Sequence, residues 1–100
     1  MDKNAAIEIM REYRQAIIKL FPNSITDLFG SYAKECQQEN SDIDVAVIVP
    51  KLSENYLWED SPKLWKASGD INSLIEPVLL EKNENTPLYN EVIKNGILIE

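Results

Sequence analysis

The sequence contains no histidine and only one cysteine, Cys36, among its 100 residues. These two scarcities exclude a zinc site built from cysteine and histidine ligands, and they exclude a disulfide framework within one chain. Catalysis by a histidine base is excluded as well. Any chemistry in this chain has to come from other residue types.

Basic residues and long apolar runs are also in short supply. Ten Lys and Arg stand against seventeen Asp and Glu, and the resulting net charge of −7 would repel a nucleic-acid backbone. No stretch approaches the roughly 18 apolar residues of a membrane span, and residues 1–4 lack the character of a signal peptide. We therefore expect no direct nucleic-acid partner, no membrane association and a cytoplasmic location.

The composition that remains is that of a folded globular protein. Hydrophobic residues make up 44% of the chain and charged residues 27%, which is ordinary for a soluble domain. One hundred residues can bury one hydrophobic core and are too few for two. We expect a single domain over residues 1–100.

Apolar periodicity and end signals predict an alternation of helices and strands. Pro22 ends the first helix, while Ser61-Pro62 and Thr86-Pro87 read as helix starts. The predicted elements are a helix from about Lys3 to Phe21, a strand from Ile25 to Gly30, a short helix from Tyr32 to about Cys36, a strand from Ile43 to Val49, a helix from Ser61, a strand from Ile75 to Leu80, a helix from Thr86 to Gly96 and a tail or strand from Ile97 to Glu100. This order is typical of an α/β fold with helices packed on a small sheet.

The position of each strand in the sheet can also be predicted. The run from Ile43 to Val49 is almost wholly apolar and β-branched, which indicates a central strand covered on both faces. Pro77 cannot donate to a strand ladder, so its strand is expected at an edge or in a one-sided pairing. In the last helix, Leu88, Val92 and Ile93 are expected to form the apolar side.

Asp42 and Asp44 stand at the entrance of the predicted central strand. Residues two apart on a strand point the same way, about 6.6 Å apart along the backbone, so both carboxylates can converge on one ion or bracket a pair. Such an oxygen-only site suits Mg²⁺ or Mn²⁺. For an Asp-x-Asp motif alone, a solvated strand end is the commoner explanation.

Gly30-Ser31 follows a predicted strand and precedes a predicted short helix. Glycine at such a turn lets a phosphate approach the backbone, while the next amides and the hydroxyl can hold its oxygens. Taken alone, the pair is more often a tight turn in which the serine is an ordinary helix cap. The combination of this turn with the aspartate pair favours a phosphate site.

Glu76 offers a third carboxylate on another predicted strand. Three acids around two metal ions can clamp both oxygens of an in-line phosphoryl displacement. The alternative, a solvent-facing glutamate beside Pro77, is nearly as well supported by the sequence.

These residues together resemble a known signature. Gly30-Ser31, ten further residues and Asp42-Ile43-Asp44-Val45 are similar to the signature of the minimal nucleotidyltransferases, the small branch of the DNA polymerase β-like superfamily. The flanking segments 28–34 and 75–78 agree with it, so the resemblance covers nearly the whole chain.

The resemblance implies a nucleotidyltransferase fold, with a small mixed sheet like the palm of polymerase β. It also implies transfer of a nucleoside monophosphate, AMP with ATP as donor, to a hydroxyl with loss of pyrophosphate. The residues it points to are Gly30, Ser31, Lys34 and Ser41 for the nucleotide, and Asp42, Asp44 and Glu76 for catalysis and for Mg²⁺ or Mn²⁺.

Proteins of this kind often act as antitoxins of an all-helical HEPN-domain toxin, by adenylylating a tyrosine or by complex formation. The resemblance therefore implies a HEPN-domain partner. For a small acceptor such as an antibiotic, a chain this short would need a separate subunit or a homo-oligomer to grip the substrate.

Two departures from the family pattern keep an alternative open. Glu35 stands at the position where members of this family usually have a glycine after the short helix. Glu76 stands where the third acid of the family is usually an aspartate. Either change could slow or silence the enzyme, which would leave a partner-binding antitoxin. Tyr56, Trp58 and Trp65 could form part of a partner surface, although we expect them to cover the core.

Overall fold

The computed structural model describes all residues from Met1 to Glu100. Its elements are α1 (Lys3–Leu20), β1 (Ile25–Phe29), β2 (Ile43–Val49), a π-helical turn (Tyr56–Asp60), α2 (Ser61–Ile71), β3 (Ile75–Glu81), α3 (Pro87–Asn95) and β4 (Ile97–Ile99). The strands form one sheet in the order β3-β2-β1-β4. β1 is antiparallel to β2 and β4, whereas β2 and β3 are parallel. The predicted α/β fold with a small mixed sheet is confirmed.

The first helix begins at Lys3 as predicted and ends at Leu20, one residue before the predicted end. The Asp2 side chain caps α1 by accepting a hydrogen bond from the Ala5 backbone N–H at 2.8 Å. Its buried face is tied to α2, because the buried Tyr13 hydroxyl donates to the Leu64 carbonyl oxygen at 3.0 Å. No helix in the chain has both the length and the apolar character needed to traverse a bilayer.

The two faces of the sheet are covered by different helices. Side chains alternate between faces along each strand, and those on one face pack with α1 and α2 in the larger core cluster. The opposite face packs with α3 in a smaller cluster. That cluster consists of Ala46, Ile48, Leu80, Tyr89 and Val92.

The central and edge strands are also as predicted. β2 has neighbours on both sides, and β3 is an edge strand, where Pro77 removes no hydrogen bond from the sheet interior. Thr86 caps α3 by accepting from the Tyr89 backbone N–H at 3.2 Å. The predicted apolar side of α3 was only partly right, because its buried residues are Tyr89 and Val92. Leu88 and Ile93 are exposed.

The short helix predicted from Tyr32 to Cys36 is wrong. The segment forms turns, with backbone hydrogen bonds from Lys34 N to Gly30 O at 3.2 Å and from Cys36 N to Ser31 O at 3.0 Å. Glu35 ends any helical path because its φ of 56° is left-handed.

The start of α2 also differs from the prediction. Ser61 is the first helical residue and not the cap, since the π-helical turn leads straight into the helix. This turn carries the exposed Trp58, which is 82% exposed, and Trp65, on α2, is 52% exposed. The expected core-covering role therefore holds only for Tyr56, which packs against the larger cluster.

Candidate active site

Gly30 lies at the exit of β1, against the carboxylate of Asp44. Its φ of 74° is in the left-handed region, where residues with a Cβ atom are strained. A Cβ atom at this position would overlap Asp44 Oδ2. Glycine is therefore required here for two reasons, the backbone conformation and the lack of space for a side chain. The contact also brings the glycine-serine turn next to the aspartate pair.

The sheet register places the three predicted acids side by side. Asp44 is the second residue of β2 and lies directly across from Phe29 on β1 and from Glu76 on β3. Neighbouring strands are about 4.8 Å apart. Asp42 immediately precedes β2, so it lies at the same end of the sheet. Residues that are distant in the sequence thus meet at one end of the face that α3 covers farther along.

The charges of these acids affect one another. Partial burial raises the pKa of Asp44, and the negative charge of Asp42 raises it further. The pKa of Glu76 is raised by desolvation first and then by the charges of Asp42 and Asp44. Burial is the larger cause for both groups, and the nearby negative charges add to it; a bound cation would offset that repulsion.

The donor set fits a hard divalent cation in chemical type. All three side chains offer carboxylate oxygens, which are the ligands of Mg²⁺ and Mn²⁺. Asp42 and Glu76 are exposed and Asp44 is half-buried, so the oxygens are open to solvent and to ligands. No three acidic side chains of the chain meet around one point in the described conformation.

The other residues predicted to contact a nucleotide form different local contacts. Ser31 lies in the turn directly after Gly30. Ser41 accepts a hydrogen bond from the Gln38 backbone N–H at 2.7 Å, which shapes the loop before β2. Lys34 is exposed and its ammonium lies 2.7 Å from Glu91 on α3. The structure therefore brings together Gly30 and the acids but directs Lys34 to a residue that the sequence did not single out.

Glu35 occupies the conformation that a glycine would adopt without strain. Its side chain is exposed and pairs with Lys3 Nζ at 3.5 Å. The turn thus holds a glutamate in the left-handed region, at the position where the resemblance leads one to expect glycine.

The cluster of acids lies on an open edge and not in a closed pocket. A concavity of about 230 Å³ lies elsewhere, lined by the end of α1, the end of β2 and Leu79 of β3. An exposed row of carboxylates beside a glycine turn can hold phosphates and cations while a large acceptor approaches from solvent.

Comparison with known proteins decides the family. The family model "Polymerase beta, Nucleotidyltransferase" matches residues 6–100. The chain belongs to this family. Its predicted identity as a nucleotidyltransferase is thereby confirmed.

Two relatives are named for the same activity. A candidate protein adenylyltransferase of Methanocaldococcus jannaschii is 31% identical over 96 residues, covering 91% of this chain and 95% of that protein. Protein adenylyltransferase MntA of Shewanella oneidensis is 36% identical over 86 residues, covering 80% of this chain and 59% of MntA. The chain thus spans less than two thirds of MntA.

Solved structures agree with the fold. A candidate nucleotidyltransferase of Sulfolobus solfataricus superposes with a TM-score of 0.74 at 20% identity, over 96% of this chain and 80% of that one. A toxin-antitoxin crystal structure with AMP-PNP superposes with a TM-score of 0.54 at 27% identity, over 100% of this chain and 73% of that one.

Sequence reasoning missed two acids near this site, Glu91 and Asp27. Glu91 meets Lys34 only through the tertiary fold, although its spacing from Asn95 on one helix was a visible signal of a side-chain pair. Asp27 was placed correctly on a strand face, but its burial under α3 has no signature in the sequence.

Proposed function

We propose that this chain transfers AMP from ATP to a hydroxyl of a partner protein. The observation that carries the proposal is the contact between Gly30 and the Asp44 carboxylate, in register with Glu76. Two relatives named as protein adenylyltransferases support the choice of a protein acceptor.

Each part of the site has a proposed role. The Gly30-Ser31 turn, with Lys34 and Ser41, holds the triphosphate, because glycine admits a phosphate to the backbone amides. Asp42, Asp44 and Glu76 would hold Mg²⁺ or Mn²⁺. When bound, such an ion supplies charge neutralisation for the triphosphate.

The reaction follows from positioning and charge. The acceptor oxygen attacks the α-phosphorus in line, the bond from that phosphorus to the bridging oxygen breaks, and pyrophosphate leaves. Glu76 is proposed to take the hydroxyl proton, since it lies at the edge of the sheet where an acceptor can approach. The balance is one phosphodiester formed and one phosphoanhydride broken.

The proposed partner is a HEPN-domain toxin in the cytoplasm, with this chain as its antitoxin. The family resemblance implies such a partner, and a toxin-antitoxin structure at 27% identity supports a complex of this kind. The open, acidic edge of the sheet is accessible to a large partner, and the net charge of −7 suits a basic surface.

One observation favours a second candidate, an antitoxin that acts only by complex formation. The three acids do not close around one point in the described conformation, and Glu76 carries a longer arm than the usual aspartate. In that case the partner is bound but not modified.

Calorimetry with ATP and Mg²⁺ tests the nucleotide site. We expect binding that requires Mg²⁺ and is lost in an Asp42→Asn, Asp44→Asn double variant, because the variant removes two anionic ligands. A matched control is Glu8→Gln with Glu12→Gln, which removes the same charge from α1. Binding that is equal in both double variants would contradict a site at Asp42 and Asp44.

Transfer is tested separately with α-labelled ATP and a co-purified HEPN-domain partner. Label on the partner that depends on Asp42 and Asp44 supports adenylylation. Complex formation without label, in a chain that binds ATP, would favour the second candidate.

A further inference from the structure

Lys34 and Glu91 join the glycine-serine turn to α3. The Lys34 Nζ and Glu91 Oε1 atoms are 2.7 Å apart. The other carboxylate oxygen, Oε2, accepts a hydrogen bond from Asn95 Nδ2 at 3.0 Å, one helical turn farther along α3. One oxygen of Glu91 therefore pairs with the lysine and the other with Asn95, and both contacts favour the same orientation of the side chain.

The two groups hold each other in the charged form. The hydrogen bond from Lys34 raises the pKa of that lysine, and the same bond, followed by the one from Asn95, lowers the pKa of Glu91. An ammonium has three N–H donors, so pairing with one carboxylate oxygen leaves donors for phosphate oxygens.

The orientation of Lys34 is important because this lysine lies in the glycine-serine turn of the candidate site. Lys34 is the only basic residue in the turn of residues 30–35, which begins at the Asp44 carboxylate. A lysine side chain is long and flexible, so an untethered ammonium would sample many positions, including contacts with the nearby acids. A lysine held by a helix glutamate so that it can meet a nucleotide phosphate is an arrangement that protein kinases also use.

We propose that Glu91, fixed by Asn95, is a positioning residue that holds Lys34 at the rim of the triphosphate site. This inference rests on the proposed function. It assigns to α3 a role in nucleotide binding beyond its packing on the sheet.

Calorimetry with α,β-methylene ATP and Mg²⁺ tests the role, because the carbon bridge prevents loss of pyrophosphate. The proteins compared are the full chain, Glu91→Gln, and the control Glu8→Gln, which breaks an exposed ion pair with Arg11 on α1. We expect Glu91→Gln to bind about two- to fivefold more weakly, the range of an exposed ion pair. Glu8→Gln is expected to bind like the parent chain.

A double-mutant cycle separates positioning from general charge. In a Lys34→Gln background, Glu91→Gln is expected to have no further effect on affinity, since there is no ammonium left to position. Thermal unfolding of each variant shows whether the fold is intact.

The outcomes are distinct. Affinity in Glu91→Gln that equals or exceeds that of the parent chain would overturn the positioning role, and a gain would show that Glu91 competes with phosphate. An equal loss in the Lys34→Gln background would also overturn it. Absence of binding to the parent chain would overturn this inference together with the proposed nucleotide site.

Discussion

Asp27 and Asp44 lie on the same face of the sheet, on the neighbouring strands β1 and β2, yet α3 covers only the first. Asp27 is 8% exposed, and its Oδ1 atom has no hydrogen-bond partner. A Cβ atom on Gly96, where α3 passes into β4, would overlap that oxygen. Asp44 lies at the open end, beside Gly30 and Glu76.

The difference shows what position under a helix does to a carboxylate. At the covered end, burial raises the pKa of Asp27 to about 6, and no cation or donor compensates. At the open end, the pKa of Asp44 is raised both by burial and by Asp42, and an incoming cation can relieve the repulsion. The same residue type therefore weakens the fold at the covered end, whereas at the open end it is proposed as a ligand.

The largest expected effect comes from breaking the open end with Gly30→Ala. The new methyl group forces a left-handed alanine and displaces the Asp44 carboxylate, which we expect to cost about 3 kcal/mol in the free energy of unfolding. Urea denaturation measures the loss.

Gly69→Ala is the matched control. Gly69 lies inside α2, and no atom lies within 4 Å of the place that a Cβ atom would take. The substitution is therefore expected to stabilise the helix by about 0.5 to 1 kcal/mol. Equal effects of the two substitutions would show that Gly30 is not constrained by Asp44.

The covered end is tested by Asp27→Asn as a function of pH. The folded pKa of Asp27, about 6, lies above its ordinary value of 3.8, so the native state binds the proton more tightly. Stability from this group is therefore full below about pH 4 and lost as the pH rises to about 6. The variant has no carboxylate to ionise, so it does not lose this stability. The free energy of unfolding of the variant, relative to that of the parent chain, should therefore rise by about 2 to 3 kcal/mol from pH 4 to pH 8.

Chemical denaturation at both pH values measures this difference. The same series with Asp2→Asn, at the exposed cap of α1, shows how an accessible aspartate behaves. A difference between Asp27→Asn and the parent chain that stays constant with pH would mean that water reaches the buried carboxylate.

The strands that carry the covered and the open end could be predicted from the sequence because their apolar residues follow a clear period. β2 begins at Ile43 and ends at Val49 as predicted, because a buried strand needs an apolar run that Pro50 stops. The alternation along β1 also placed Asp27 and Phe29 on one face. Local pattern fixes which side chains share a face.

Which helix covers a given face of the sheet depends on contacts between distant segments, and local sequence patterns do not predict such contacts. The burial of Asp27 under α3 and the contact of Lys34 with Glu91 join parts of the chain that no local pattern connects. The π-helical turn at Tyr56–Asp60 was missed because its wider hydrogen bonding leaves no period in so few residues. In the candidate site, a spaced motif carries Gly30, Asp42 and Asp44, so the sequence could predict that they lie together, and the contact of Gly30 with Asp44 agrees. Their role as ligands stays a prediction.

The smallest expected effect concerns backbone strain in the turn beside the open end of the sheet. Glu35 and Asn83 are the two non-glycine residues with positive φ, at 56° and 64°. Glutamate is strained there, whereas asparagine tolerates this region. We expect Glu35→Gly to stabilise the chain by about 0.5 to 1 kcal/mol, since relief of strain exceeds the entropy that glycine adds to the unfolded state. The exposed pair of Glu35 with Lys3 contributes little.

Asn83→Gly is the control, with a change in the free energy of unfolding expected near zero in the same urea titration. A loss of stability in Glu35→Gly larger than that in Asn83→Gly would show that the Lys3 pair, and not the backbone, decides the energetics of this turn.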